Sequence, residues 1–201
     1  DVISRIVAEA MARHLPQPVV VENTPPANVG AQRVAQARPD GYTLLMSNVG
    51  LAAGATLFRR LSFDTATAFA PLGLVSDAAM TIIARPEYPA EDMGGLLADI
   101  GRRGEALNIG TAGLASAANL CALLMQQQAQ SRMTIVAFRG TALAITELMA
   151  GRLDLLCDQA TNTAPFIRDN RVRAFAVTSP ARLPGLPAIP TTAESGAPII
   201  A

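Results

Sequence analysis

Apolar residues recur at helical spacing over residues 1–15, where Val2, Ile3, Ile6, Val7, Ala10 and Met11 share one face. Arg5 and Glu9 stand one turn apart on the other side, Asp1 occupies the N-cap position, and Pro16 closes the helix. Pro18-Val19-Val20-Val21 is a short apolar run that predicts a buried strand, and Asn23-Thr24-Pro25-Pro26 predicts a loop. Asn28 is placed to cap a helix running to about Arg38, and Pro39-Asp40-Gly41 has the chemistry of a turn. Residues 42–47 then predict a strand, 51–58 a helix and 71–75 a strand.

The same rhythm fills the rest of the chain. Strands are expected at 80–84, 107–109, 134–137, 153–157 and 172–178, and helices at 91–103, 116–129, 142–150 and 164–169. The proline-rich stretch 180–198 reads as a surface connection. Short apolar strands alternating with helices are the pattern of an α/β fold with mostly parallel sheets. One boundary falls near Arg85-Pro86. A strand returning near Phe175-Ala176-Val177 closes a lobe between them.

Composition narrows the chemistry. Half of the 201 residues are apolar and 16% are charged, which favours a folded core over disorder. All sixteen basic residues are arginine, so a Schiff-base lysine and a P-loop lysine are excluded. Sixteen acidic residues balance them, Trp is absent and aromatics make up 4%, which argues against a nucleic-acid partner. His14 is the single histidine. A Ser-His-Asp site would have to use it, and its place at the end of the first helix suits dipole complementation instead. No metal site and no cofactor is expected. Cys121 and Cys157 each sit in an apolar run, so buried free thiols are the expectation and nothing in their spacing signals a disulfide. There is no run of about 18 apolar residues to form a transmembrane helix.

In open α/β sheets ligands bind beyond the carboxyl ends of strands. Four expected strands end in small, polar, glycine-bearing junctions: Asn48-Val49-Gly50, residues 110–116, Phe138-Arg139-Gly140-Thr141 and residues 158–162. A helix N-terminus leaves backbone N–H groups unpaired and attracts anions. Each junction is also an ordinary capping turn, with Ser116 a plain N-cap, Gly140-Thr141 a cap and Asn48 a turn residue. Four together point to a site for a small carboxylate. Asp158 is a candidate acceptor, and Arg139 reads as a solvated charge. Asp154, at a strand start, is expected to be exposed and about 13 Å from Asp158 by strand rise, too far for joint acid–base work. Gly110-Thr111-Ala112-Gly113 does not fit a dinucleotide fingerprint.

Several stretches together resemble one family. They are Pro18-Val19-Val20-Val21-Glu22-Asn23, Arg38-Pro39-Asp40-Gly41-Tyr42, Asn108-Ile109-Gly110-Thr111-Ala112-Gly113, Phe138-Arg139-Gly140-Thr141-Ala142 and Gly151-Arg152-Leu153-Asp154-Leu155. Ala174-Phe175-Ala176-Val177-Thr178 continues the likeness. The chain resembles the Bug family of extracytoplasmic solute receptors, which serve tripartite tricarboxylate transporters. The resemblance implies a periplasmic-binding-protein fold of two α/β lobes joined by two crossing hinge strands. The first lobe would comprise residues 1–84 and 175–201 and the second 85–174, with the hinge at 80–84 and 175–178. It further implies a monomeric periplasmic protein that binds a di- or tricarboxylate, an acidic amino acid or an aromatic acid and delivers it to membrane transporter subunits. Carried over, Asn48 matches the ligand loop of the first lobe. Thr111, Gly113, Ser116 and Ala117 match the carboxylate-binding turn, and Gly140, Thr141 and Asp158 match other cleft positions. Asn119 stands where the family often has His. The family also continues past Ala201 and begins before Asp1, so a partial receptor is expected.

A receptor needs no catalytic residue, and none is identified here. The alternative is the effector-binding domain of a transcription regulator with a similar two-lobed fold, which would need a helix-turn-helix segment upstream. An enzyme would need a nucleophile or base, against which the single histidine argues.

Overall fold

The computed structural model describes residues 2–24 and 27–197. The expectations resting on Asp1, Pro25, Pro26 and residues 198–201 lie outside the described residues. The chain divides into two units, residues 1–72 and 73–201.

The first unit is helical with long extended connections. Helix α1 spans Val2–Ala12, α2 Ala27–Ala35 and α3 Val49–Leu57. In α1 only Ala8 is buried, while Val2 and Ile6 are exposed, and Glu9 pairs with Arg13 at 3.1 Å. Asn28 lies inside α2 rather than capping it. The turn at 39–41 forms as expected. Asp40 accepts a hydrogen bond from the Tyr42 amide at 3.0 Å, and Gly41 takes a φ of +83°. The three strands expected at 18–21, 42–47 and 71–75 do not form: none of these residues is in a ladder. Val20, Tyr42, Leu72 and Leu74 are all more than four-fifths exposed. An apolar run becomes a strand only where a neighbour completes its ladder, and no such neighbour stands beside these runs among the described residues.

The second unit is a three-layer α/β sandwich. Its strands are β1 (Met80–Ala84), β2 (Asn108–Thr111), β3 (Thr134–Ala137), β4 (Leu155–Gln159) and β5 (Arg173–Val177). Their order in the sheet is β3-β2-β4-β1-β5. Strand β2 runs parallel to β3 and β4, whereas β1 is antiparallel to both β4 and β5. Four strands therefore share one direction and β1 runs against them, which makes the sheet mixed. The two strands expected to form the hinge are neighbours in this sheet.

Helices α4 (Met93–Arg103) and α5 (Ala117–Gln128) cover one face. They pack Met93, Leu96, Ile100, Ala118, Ala122 and Met125 against Ile82, Ile109 and Leu155. Helices α6 (Thr141–Met149) and α7 (Ala160–Arg168) cover the other, with Ala144, Ile145, Leu148 and Ile167 against Ile83 and Leu156. Alternation along each strand divides its side chains between the two layers. Gly110 on β2 is where α6 comes closest. A Cβ there would meet Leu153 Cδ1 at 2.6 Å and Ala144 Cβ at 3.5 Å.

Three expectations are corrected here. Cys121 and Cys157 are not free thiols: they form a disulfide between α5 and β4, with Cα atoms 6.1 Å apart. Two apolar runs that dock face to face bring the sulfurs together, a proximity that spacing along the chain does not encode. Asp154 is not exposed but half-buried at the amino end of the sheet. It accepts from the Asn108 amide at 3.0 Å and pairs with Arg85 at 3.4 Å. The proline-rich tail is more than a connection, since Leu186 and Ala197 enter the core and Thr191 bridges to Val177.

Candidate functional site

Because β2, β3 and β4 are parallel, their carboxyl ends lie along one edge, and each feeds the amino end of a helix. Seven of the eight expected site residues fall at this edge. Asn48 belongs to the first unit, where it caps α3 by accepting from the Gly50 amide at 2.9 Å.

The turn between β2 and α5 is closed on itself. Ser116 caps α5, its Oγ accepting from the Asn119 amide at 3.1 Å and donating to the Gly113 carbonyl at 2.7 Å. Asn119 reciprocates by donating from Nδ2 to the Leu114 carbonyl at 2.7 Å. Gly113 takes a φ of +109°, which a side chain would strain. The turn thereby holds the first amides of α5, beginning at Ala117, facing out of the edge. Beneath it Thr111 is fully buried, and its Oγ1 has no hydrogen-bond partner. Thr111 shares a face with Ile109 and so lies on the α5 side of the sheet.

The turn from β3 into α6 extends the pairing, because the Phe138 amide donates to the Thr111 carbonyl at 2.9 Å. Gly140 stands at the N-cap of α6 with no side chain to cap it. Arg139 beside it is exposed, as a solvated charge would be. Strand β4 passes directly into α7, whose N-cap position, Gln159, likewise makes no side-chain cap. The amino end of α6 therefore keeps open backbone donors, whereas α7 gives its first amide, Ala160, to the Ala79 carbonyl at 2.8 Å; both carry positive dipole ends.

Asp158 occupies the ground between them. It is buried, and its carboxylate accepts from Thr141 Oγ1 at 2.6 Å, the Gln159 amide at 2.7 Å and Asn162 Nδ2 at 2.8 Å. Burial pushes its pKa above the ordinary carboxylate value, and the three hydrogen bonds oppose that rise. Asp158 lies on the α6 side of the sheet, opposite Thr111. The edge thus holds two clusters: Thr111, Gly113, Ser116 and Ala117 by α5, and Gly140, Thr141 and Asp158 by α6. Sequence reasoning noted Asn162 and Asn119 at these junctions without giving either a bond, and it missed the pair Thr81–Thr163, whose hydroxyls meet at 2.7 Å. Asn162 follows Asp158 by four residues, the one spacing that signals its contact.

Two surface concavities of about 280 and 490 Å³ lie in the first unit around Arg60, Leu61 and Phe63. No expected site residue lines either. The strand ends, with their open amides, offer the more specific chemistry. No group of three or more His, Cys, Asp or Glu among the described residues could hold a metal. Among them, no helix is long and apolar enough to cross a membrane.

The model of the TctC family, described as the tripartite tricarboxylate transporter family receptor, matches residues 3–200. The chain belongs to the TctC receptor family. A UPF0065 protein of Agrobacterium vitis, from the TAR-I ttuE-ttuC' intergenic region, is 38% identical over 198 residues, covering 98% of this chain. BugT of Bordetella pertussis is 28% identical over 202 residues. This TctC chain spans 57% and 62% of the length of these two relatives. Among solved structures, MatC of Rhodopseudomonas palustris with bound malate superposes with a TM-score of 0.92 at 31% identity, covering 98% of this chain and 68% of MatC. The periplasmic binding protein BugD gives 0.90 at 36% identity, over 96% and 66% of the two chains. R. palustris Rpa4515 with adipate gives 0.91 at 27%, over 98% and 67%.

Proposed function

We propose that this TctC chain is the ligand-capturing part of a periplasmic solute receptor that binds a small carboxylate and delivers it to a tripartite transporter. The observation that carries the reading is the meeting of three helix amino ends, α5, α6 and α7, at one sheet edge. Backbone amides there recognise a carboxylate without a dedicated arginine. The malate on MatC and the adipate on Rpa4515 support this ligand class. The Cys121–Cys157 disulfide supports an oxidising, extracytoplasmic compartment. On this reading residues 1–84 with 175–201 and residues 85–174 form two lobes, residues 80–84 and 175–178 are the hinge strands, and the receptor acts as a monomer. Asn48 would contribute from the first lobe. Thr111, Gly113, Ser116, Ala117, Gly140, Thr141 and Asp158 would contribute from the second. Catalysis has no part in it.

The test is a thermal-shift panel of malate, adipate, aspartate, citrate and benzoate. A ligand present at 100 times its Kd adds about 2.7 kcal/mol of stability. A shift confined to one chemical group would name the ligand class. A flat panel from a protein that melts cooperatively would sink the carboxylate reading. Ligand affinity unchanged by both Ser116→Ala and Asp158→Ala would sink the site assignment.

A further inference from the structure

Cys157 and Asp158 are adjacent residues near the end of β4, one on each of its faces. Successive strand residues point to opposite sides, and here each is tied to the helix layer on its own side. Cys157 is bonded to Cys121 of α5, and Asp158 accepts from Thr141 of α6 and Asn162 of α7. The three helices that bring their amino ends to the candidate ligand edge are therefore each fixed to one dipeptide.

Besides the tether, the amino end of α5 is held to the sheet only by small side chains among the described residues, with Ala112 and Ala117 packed against the core beside it. In the first half of α5 the buried side chains are Ala118, Asn119, Cys121 and Ala122, and the first large apolar one is Met125. Two alanines make few dispersion contacts and bury little apolar area. Among the described residues, the hydrogen bonds of the turn ahead of the helix stay within it, through Ser116, Gly113, Leu114 and Asn119. On the strand side the turn is held by Thr111 of β2, and on the helix side Cys121, five residues beyond Ser116, is its nearest covalent attachment to the sheet.

We infer that the Cys121–Cys157 bridge is a positioning element of the ligand site, holding the amide-bearing turn at 113–117 in register with Thr141 and Asp158. This rests on the edge being the ligand site. A turn free to drift presents its amides in the binding geometry only part of the time, and the apparent Kd rises by the inverse of that fraction. Both sulfurs are buried, so the unbridged state is best reached by substitution rather than by reductant.

The experiment compares the oxidised chain with Cys121→Ala/Cys157→Ala and with Cys121→Val/Cys157→Ala, which restores part of the lost volume. Three quantities are measured: the Tm, the Kd for malate and for adipate by calorimetry, and amide hydrogen exchange by residue. The expected result is a Kd raised about tenfold in both variants, as when the competent geometry falls to about a tenth of the population. Exchange should be faster at 117–121 and unchanged in α4 and β3, and the valine variant should recover Tm but not Kd. A valine variant with the wild-type Kd and unchanged exchange at 117–121 overturns the inference. So does failure of both variants to melt cooperatively, because the bridge would then serve folding as a whole. If the oxidised chain binds neither acid, the ligand reading fails for these two. The exchange pattern then decides alone whether the bridge positions the turn.

Discussion

Thr141 donates its hydroxyl to Asp158 across 2.6 Å, joining the first residue of α6 to the end of β4. Asp158 also takes the Gln159 amide and the Asn162 side chain. Truncating it leaves three half-buried donors without their acceptor, where water replaces part of what is lost. Asp158→Ala should lower stability by about 2 kcal/mol in all, less than the about 1–3 kcal/mol that each fully buried unpaired donor would cost. Urea denaturation measures this, and a change below about half a kcal/mol would show that the network is dispensable.

The same carboxylate predicts a pH dependence with an unusual sign. Burial raises its folded pKa above the unfolded value, so the folded state holds the proton more tightly. Stability from this group is full below the unfolded pKa of about 3.9 and is lost as pH rises through the folded pKa. Relative to Asp158→Asn, the wild type should therefore lose stability as pH rises through that window. Paired melts of the two proteins across the window test it, and a constant difference would be contrary.

Asp99 behaves in the opposite way. Burial pushes its pKa up, but hydrogen bonds from Tyr88 and Arg102 and the charges of Arg103 and Arg102 outweigh this and hold it below the ordinary value. Its contribution is present above the unfolded pKa and fades as pH falls through the folded one. The penalty of Asp99→Asn should be about 2 kcal/mol near neutrality, the scale of a hydrogen bond to a charged group. It should shrink on acidification, as paired denaturation curves would reveal.

Gly110→Ala tests the packing under the site. The new methyl would stand 2.6 Å from Leu153 Cδ1, and Leu153 is itself buried. Overpacking of this kind costs about 1–3 kcal/mol. A thermal melt equal to that of the wild type would mean that Leu153 moves aside freely.

Ser116→Ala removes the α5 cap and the donor to the Gly113 carbonyl. A loss of about 1 kcal/mol is expected from the cap, together with weaker carboxylate binding if the turn presents the amides. Calorimetry with malate separates the two effects.

The second unit was largely legible in the residues alone. Each apolar run from Met80 onward that was read as a strand is one, and Ser116 sits at the expected cap. There the local signals agree with the packing. In the first unit, Val19–Val21 and Leu44–Met46 carry the same signal without a pairing partner among the described residues, and hydrophobicity alone does not say whether a ladder exists. The turns that carry the candidate residues were readable because glycine and hydroxyl residues mark turns. What joins them was not: the Thr141–Asp158 bond and the Cys121–Cys157 bridge arise from tertiary approach. Asp158 reads from the sequence either as an acceptor for a ligand or as a loop cap, and its buried carboxylate accepts three hydrogen bonds from the protein.

Strand β1 enters the sheet between β4 and β5, although it precedes both in the chain. A ribosome therefore releases β1 long before either of the strands that will pair with it. Met80–Ala84 must wait, with Ile82 and Ile83 bare, until Leu155–Gln159 and then Arg173–Val177 have emerged. Such distant pairings favour late, all-at-once closure over stepwise growth. Until then the nascent chain exposes an unpaired apolar strand, the kind of surface that invites misassociation.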